Sequence, residues 1–207
     1  MPLDLRELLD PAHTAVVTQE IQRGILEGGS ALPELAAGVA RVDMLDNVAR
    51  LLEAAREVGA RVVHCTAERR ADGLFANRNA RIFQYMAGKE NNLVRGTPAA
   101  ELCPEIGALP DELRLPRVHG LSPFQGTELD FALRNEGVST IVGVGVSVNV
   151  AIQNFAFDAV NASYQMVIPT DGVAGFPPAY VDMVFANTLG AVATLTTTDA
   201  ILEAWKA

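Results

Sequence analysis

The chain has 207 residues, 49% of them hydrophobic, with 16 lysines and arginines against 25 aspartates and glutamates, for a formal net charge of −9. That length suits one domain, residues 1–207, able to bury a core without disulfide or metal staples. The acidic balance argues against nucleic acid and anionic membrane surfaces as partners, and 20% charged residues argue against a disordered chain.

The amino-terminal MPLDLRELLD mixes acids with leucines and lacks the basic-then-apolar order of a secretion signal, so a cytoplasmic location is expected. Residues 14–19 (TAVVTQ) are a short β-branched run, read as the first buried strand. Glu20 follows it directly. A partly buried carboxylate at a strand end suits proton transfer, and a solvated loop glutamate is the alternative.

Residues 41–58 carry Val42, Leu45, Val48, Leu51, Leu52, Ala55 and Val58 at three- and four-residue steps, which predicts an amphipathic helix stopped by Gly59. Residues 61–66 (RVVHCT) then read as a second strand. Cys65 within it reads as a small buried hydrophobe rather than a nucleophile, and with Cys103 it makes no disulfide framework. The stretch 67–118, with ERRADG, NRNAR, GKENN and RGTP, has no strong periodicity. It is either a loop or helical excursion over an active-site edge or a solvated surface insertion.

Residues 117–137 combine a strand end, a turn and a helix start. Thr127 with Asp130 predicts a capping box, and His119 is either an acid/base group or a hydrogen-bonded structural residue. A helix over 128–136 ends at Gly137, and STIVGVGV (139–146) follows as a buried strand. Further elements are a helix over 149–161, a strand over 165–169, a helix over 179–190, a strand over 193–197 and a short helix over 199–206. Helix, glycine, apolar strand is the cadence of a parallel sheet covered by helices on both faces. The longest apolar run, 140–152, is too short to span a bilayer and is interrupted by glycines, Ser147 and Asn149.

GVGVSVNVA (143–151) sits between a strand end and a helix start, where open parallel sheets hold ligands and free N–H groups meet anions. A dinucleotide fingerprint is ruled out by Val148 in place of the third glycine, and a nucleophile elbow around Ser147 by Asn149 in place of the second. Ser147 is therefore a turn or cap residue, with acyl transfer as the alternative. The histidines at 13, 64 and 119 have no ligand spacing, so neither metal nor other cofactor is expected.

VVTQEIQ (16–22), SPFQGTELD (122–130), GVSVNVAIQNFAFDA (145–159) and VIPTDGVAG (167–175), in this order, resemble the isochorismatase-like, or cysteine hydrolase, superfamily over about residues 13–200. The resemblance implies an α/β fold, a three-layer α/β/α sandwich with a six-stranded parallel sheet, in a homo-oligomer (dimer or tetramer). Phe155, Phe157, Phe176 and Tyr180 are candidates for the subunit contact or for the core. Most members use an Asp–Lys–Cys triad. Here Glu20 takes the Asp place; Val118, flanked by Arg117 and His119, takes the Lys place; Ala151 takes the Cys place. That closes the covalent route. Some members that hydrolyse isochorismate also lack the cysteine and are thought to use their acid as a proton donor. The resemblance further implies a cis Val146–Ser147 peptide whose neighbouring N–H groups cradle an oxyanion or carboxylate.

Two functions follow. The first is a cysteine-independent hydrolase or lyase acting on a small anionic or carbonyl-bearing metabolite. In it Glu20 is the general acid/base, Arg117 or His119 orients the substrate, and Ser147, Val148, Asn149, Ala151 and Phe124 form the binding site. The second is a catalytically silent small-molecule-binding or scaffold protein on the same fold.

Overall fold

The computed structural model describes residues 4–27, 32–89 and 93–206. Residues 1–3 of the amino-terminal stretch and 90–92 of the irregular stretch lie outside the described residues. The apolar runs form β1 (Thr14–Gln19), β2 (Arg61–Ala67), β4 (Thr140–Val146), β5 (Gln165–Pro169) and β7 (Thr194–Thr196), joined by β3 (Leu113–Arg117) and a two-residue β6 (Val173–Ala174). The sheet order is β3-β2-β1-β4-β5-β7, parallel throughout, with β6 added against the end of β4. The expected six-stranded sheet is thus present as one continuous path.

Side chains alternate across it. Val16 points into a cluster with Leu35, Met44, Leu51 and Ile201, from α3 (Pro33–Arg41), α4 (Met44–Val58) and α9 (Thr198–Trp205). Ala15 and Val17 point into a second cluster with Leu133, Phe155 and Val181, from α6 (Leu129–Asn135), α7 (Ala151–Asn161) and α8 (Pro178–Asn187). Helices cover both faces, which is why the strands are apolar on both sides. The remaining helices are α1 (Leu5–Leu8), α2 (Arg23–Leu26) and α5 (Arg81–Ala87). No helix among the described residues is long and apolar enough to cross a membrane.

Several expectations need correction. The helix expected over 41–58 starts at Met44, because Asp43 takes a left-handed φ of +48° that breaks it from α3; Gly59 ends it with φ +80° as expected. The helix over 179–190 stops at Asn187, and Leu189–Ala191 forms a separate 3-10 turn. No capping box forms at Thr127. Its hydroxyl accepts from the Leu129 N–H at 3.2 Å and donates to the Pro123 carbonyl, while Asp130 meets the Tyr164 hydroxyl at 2.9 Å and Arg134 at 3.0 Å. Phe155 is wholly core and Phe176 packs against the cluster on the opposite face of the sheet, whereas Phe157 and Tyr180 keep 40% and 41% of their surface exposed. Both cysteines are buried and unpaired, and burial pushes each thiol up to about 12, so neither is a nucleophile near neutral pH.

One polar network crosses the core away from the crevice at the strand ends. His64 on β2 is fully buried. Its Nδ1 lies 2.8 Å from Thr18 Oγ1, and its Nε2 lies 3.0 Å from Glu112 Oε2. A neutral ring with its proton on Nε2 satisfies both, accepting from the Thr18 hydroxyl and donating to Glu112. Burial pushes the His64 pKa down, more than the adjacent Glu112 raises it. Burial alone would raise the Glu112 pKa. Hydrogen bonds from Arg56, His64 and the Leu109 N–H outweigh that and hold it below the usual carboxylate value. A histidine depressed in the folded state contributes stability that is full above its unfolded pKa, about 6.5, and is lost as pH falls below it. Urea unfolding is therefore expected to show stability falling between about pH 7 and pH 5. His64→Gln should be less stable at pH 7 but flatter across that window, and an equally steep fall in the variant contradicts the assignment.

Candidate functional site

In this strand order the chain turns outward from β1 in both directions, to β2 on one side and to β4 on the other. A crevice opens at such a switch point, beyond the carboxyl ends of the strands. Gln19 pairs with Gly145, so Glu20 and the Val146–Ser147 turn stand on neighbouring strands, about 4.8 Å apart as sheet spacing goes. Gly145 is required there: its φ is +114°, and a Cβ would come within 2.2 Å of the Gln19 carbonyl oxygen. The next peptide, Val146–Ser147, is cis.

Glu20 has a left-handed φ of +55°, which costs a non-glycine residue about 1–2 kcal/mol and must be held by its surroundings. They hold it closely. Its N–H donates to the Cys65 carbonyl at 2.9 Å, and its carbonyl accepts from the Gln22 N–H at 2.9 Å. The Gln22 amide bridges onward to Ala67 and Ala100, tying the end of β1 to the end of β2 and to the loop beyond. Glu20 Oε1 accepts from Gln19 Nε2 at 3.0 Å and from Arg117 Nη2. Oε2 has no protein donor among the described residues.

Arg117 reaches across from the end of β3, where it pairs with Ala67 and its carbonyl accepts from the Glu68 N–H at 2.8 Å. Its side chain is only 3% exposed, and Nε and Nη1 are buried with no acceptor among the described residues. A buried guanidinium with two unused nitrogens is costly, so the ion pair to Glu20 is its main compensation.

Both residues line a cavity of about 590 Å³. His119, Ser147 and Ala151 line it too, so five of the sequence candidates meet in one place. His119 packs its ring over Gly126, where a Cβ would lie 2.7 Å from it. Ser147 Oγ has no base in hydrogen-bond reach among the described residues, which leaves an acyl-transfer role unsupported. The Ser147 carbonyl accepts from the Val150 and Ile152 N–H groups. The N–H groups of Ser147, Asn149 and Ala151, at the start of α7, have no acceptor among the described residues.

Phe124, Val148 and Asn149 do not line the cavity. Phe124 packs against Phe155 and Tyr164, with ring centres 5.9 and 5.8 Å away. Val148 is fully buried, and its N–H donates to the Ala174 carbonyl at 2.8 Å. The Asn149 amide bonds both the N–H and the carbonyl of Phe176, pinning the turn to the segment after β6. Val148 and Asn149 therefore brace the turn from behind, whereas Phe124 packs in the core. Sequence reasoning missed Glu68, Arg69 and the inward residues of α5, Ile82, Phe83 and Met86, all of which line the cavity. Their one signal was the irregular stretch itself, and its reading as an excursion over a site edge matches this placement. No group of His, Cys, Asp and Glu suited to a metal occurs among the described residues.

The model of the isochorismatase domain matches residues 14–200. The chain is 34% identical over 77 residues to YwoC, an uncharacterised isochorismatase family protein of Bacillus subtilis, a match that spans 37% of this chain and 40% of that protein. It is 23% identical to the ureidoacrylate amidohydrolase RutB of Rhizobium rhizogenes, across 84% of this chain and 75% of that protein. Among solved structures, a cysteine hydrolase from Pseudomonas syringae pv. phaseolicola superposes with a TM-score of 0.84 at 23% identity, covering 100% of this chain and 99% of that one. The N-carbamoylsarcosine amidase of Thermoplasma acidophilum follows the same fold with a TM-score of 0.71 at 22% identity, covering 90% and 97%.

Removing one partner of the ion pair has a defined cost. Glu20→Ala leaves Arg117 buried and unpaired and should lower unfolding stability by about 3 kcal/mol in urea titrations. Glu20→Gln should lose less, since its amide oxygen still accepts. Equal and negligible losses in both variants would show that the pair does not hold the site together.

Proposed function

The chain belongs to the isochorismatase family of hydrolases, and we propose that it hydrolyses a small anionic or carbonyl-bearing metabolite without a covalent intermediate, using Glu20 as general acid/base. The observation that carries this reading is the Glu20–Arg117 ion pair in the wall of the cavity. The family pattern calls for an acid and a lysine here, and counting along the sequence puts the lysine place at Val118. Arg117, one residue earlier, is the cation that meets the carboxylate. Its permanent charge engages Oε1 and leaves Oε2 for proton transfer.

In the proposed step, Oε2 takes a proton from a water molecule as the water oxygen bonds to the substrate carbonyl carbon. The carbonyl oxygen becomes an oxyanion, facing the free N–H groups of Ser147 and Ala151. The proton then passes from Glu20 to the leaving group as its bond to carbon breaks. Ala151 stands at the start of α7, in the place of the family cysteine, and supplies no nucleophile. That same alanine favours the second reading, a silent binding protein.

Untargeted mass spectrometry of a metabolite extract incubated with the protein separates the two readings. The wild type should consume a metabolite, Glu20→Gln should do so about 10²–10⁴ times more slowly, and Ser147→Ala should match the wild type. Full activity in Glu20→Gln would remove Glu20 from the chemistry. A compound retained by both proteins and never converted would establish the binding protein.

A further inference from the structure

Arg69 is a cation of the cavity wall with no neutralising partner among the described residues. Its backbone is fixed on both sides: the Arg69 N–H donates to the Leu93 carbonyl at 2.8 Å, and its carbonyl accepts from the Arg95 N–H at 2.8 Å. Its Nη1 is buried without an acceptor, and no carboxylate lies within ion-pair distance among the described residues. The acids next to it are committed elsewhere. Glu68 pairs with Arg95 at 2.5 Å, Asp72 with Arg70 at 2.5 Å, and Glu20 with Arg117. The cavity wall as a whole sets Arg69, Arg78 and Arg117 against Glu20 and Glu68, an excess of positive charge in a chain whose net charge is −9. Around these groups the wall is apolar, with Ile25, Ile82, Met86 and Leu93.

An unpaired guanidinium among apolar side chains is destabilising, and a carboxylate fits its planar fork of donors. Arg117, with Nε and Nη1 also buried and unused, adds a second set of unsatisfied donors to the same wall. Arg69 stands on the same rim as Glu20. The Glu20 N–H bonds the carbonyl of Cys65 on β2, which ends at Ala67, and Glu68 and Arg69 follow directly.

We infer that Arg69 determines substrate specificity by binding the carboxylate of a small carboxylic acid, whose reacting bond lies at a second position of the molecule, beside Glu20. The inference rests on the reading of this cavity as the substrate site. It adds to that reading a charged recognition group from the stretch between β2 and β3.

The test is binding, which needs no turnover. Matched acid and amide pairs (benzoate and benzamide, succinate and succinamide, hexanoate and hexanamide) are titrated calorimetrically into wild type, Arg69→Lys and Arg69→Gln. At least one acid should bind the wild type about tenfold or more tightly than its amide, lose at least about tenfold in Arg69→Gln, and lose less in Arg69→Lys. Without ligand, Arg69→Gln should melt at or above the wild-type temperature, because the arginine side chain has no partner to lose among the described residues. If that variant fails to fold, phenylglyoxal modification of the wild type gives the same answer: the acid should protect Arg69 and the amide should not. Binding that ignores the acid–amide difference, binding indifferent to Arg69, or no binding by any of the acids would overturn the assignment. Failure of the Glu20 mechanism has a different signature, turnover that survives Glu20→Gln while acid binding still depends on Arg69.

Discussion

A carboxylate in a left-handed backbone conformation and a guanidinium that is almost wholly buried cannot be placed independently, and the Glu20–Arg117 pair joins them across three strands. Arg117 reaches Glu20 because β3 pairs with β2 and β2 with β1 in a fixed register; a slip of one residue would turn the guanidinium to the other face of the sheet. The Gln22 amide locks the ends of β1 and β2 together, and Gly145 lets β4 close on the Gln19 carbonyl from the other side. The crevice is therefore a product of sheet register. The ion pair in its wall is one that neither strand could hold alone.

The elements legible in the sequence are those whose own residues carry the burial signal. β1 and β4 are buried at every position, and β2 is buried through its middle, so each reads as an apolar run. α4 shows its stripe because five of its residues are buried on one side. β3 gives no such signal. It is an edge strand with Pro116 inside it, and only Leu115 and Arg117 face inward, so half of its inward pattern is an arginine. α5 was equally hidden, since none of its residues is buried and its apolar side faces a cavity rather than a core.

The site was legible to the same degree and for the same reason. Glu20 and Ser147 could be found because strand ends at a switch point are where ligands bind, and Ala151 through the family resemblance that puts it in the cysteine place. Arg117 was recognisable as a candidate, but its partner was not, because the contact joins residues 97 apart through β3, of which only the end at residue 117 was legible. Arg69 could not be picked out at all. It sits among other arginines in an aperiodic stretch, and only three-dimensional pairing shows that Arg70 and Arg95 have acidic partners while Arg69 has none among the described residues. Relatives at 20–24% identity share the fold, so the sheet by itself does not define a substrate.

Whether this crevice works without a covalent intermediate can be read directly from the protein's mass during turnover. Intact-protein mass spectrometry on samples acid-quenched while a metabolite is being consumed should show only the unmodified chain at every time point. A transient adduct, localised by peptide mapping to Ser147 or to either cysteine, would contradict the proposal and replace Glu20 as the centre of the chemistry.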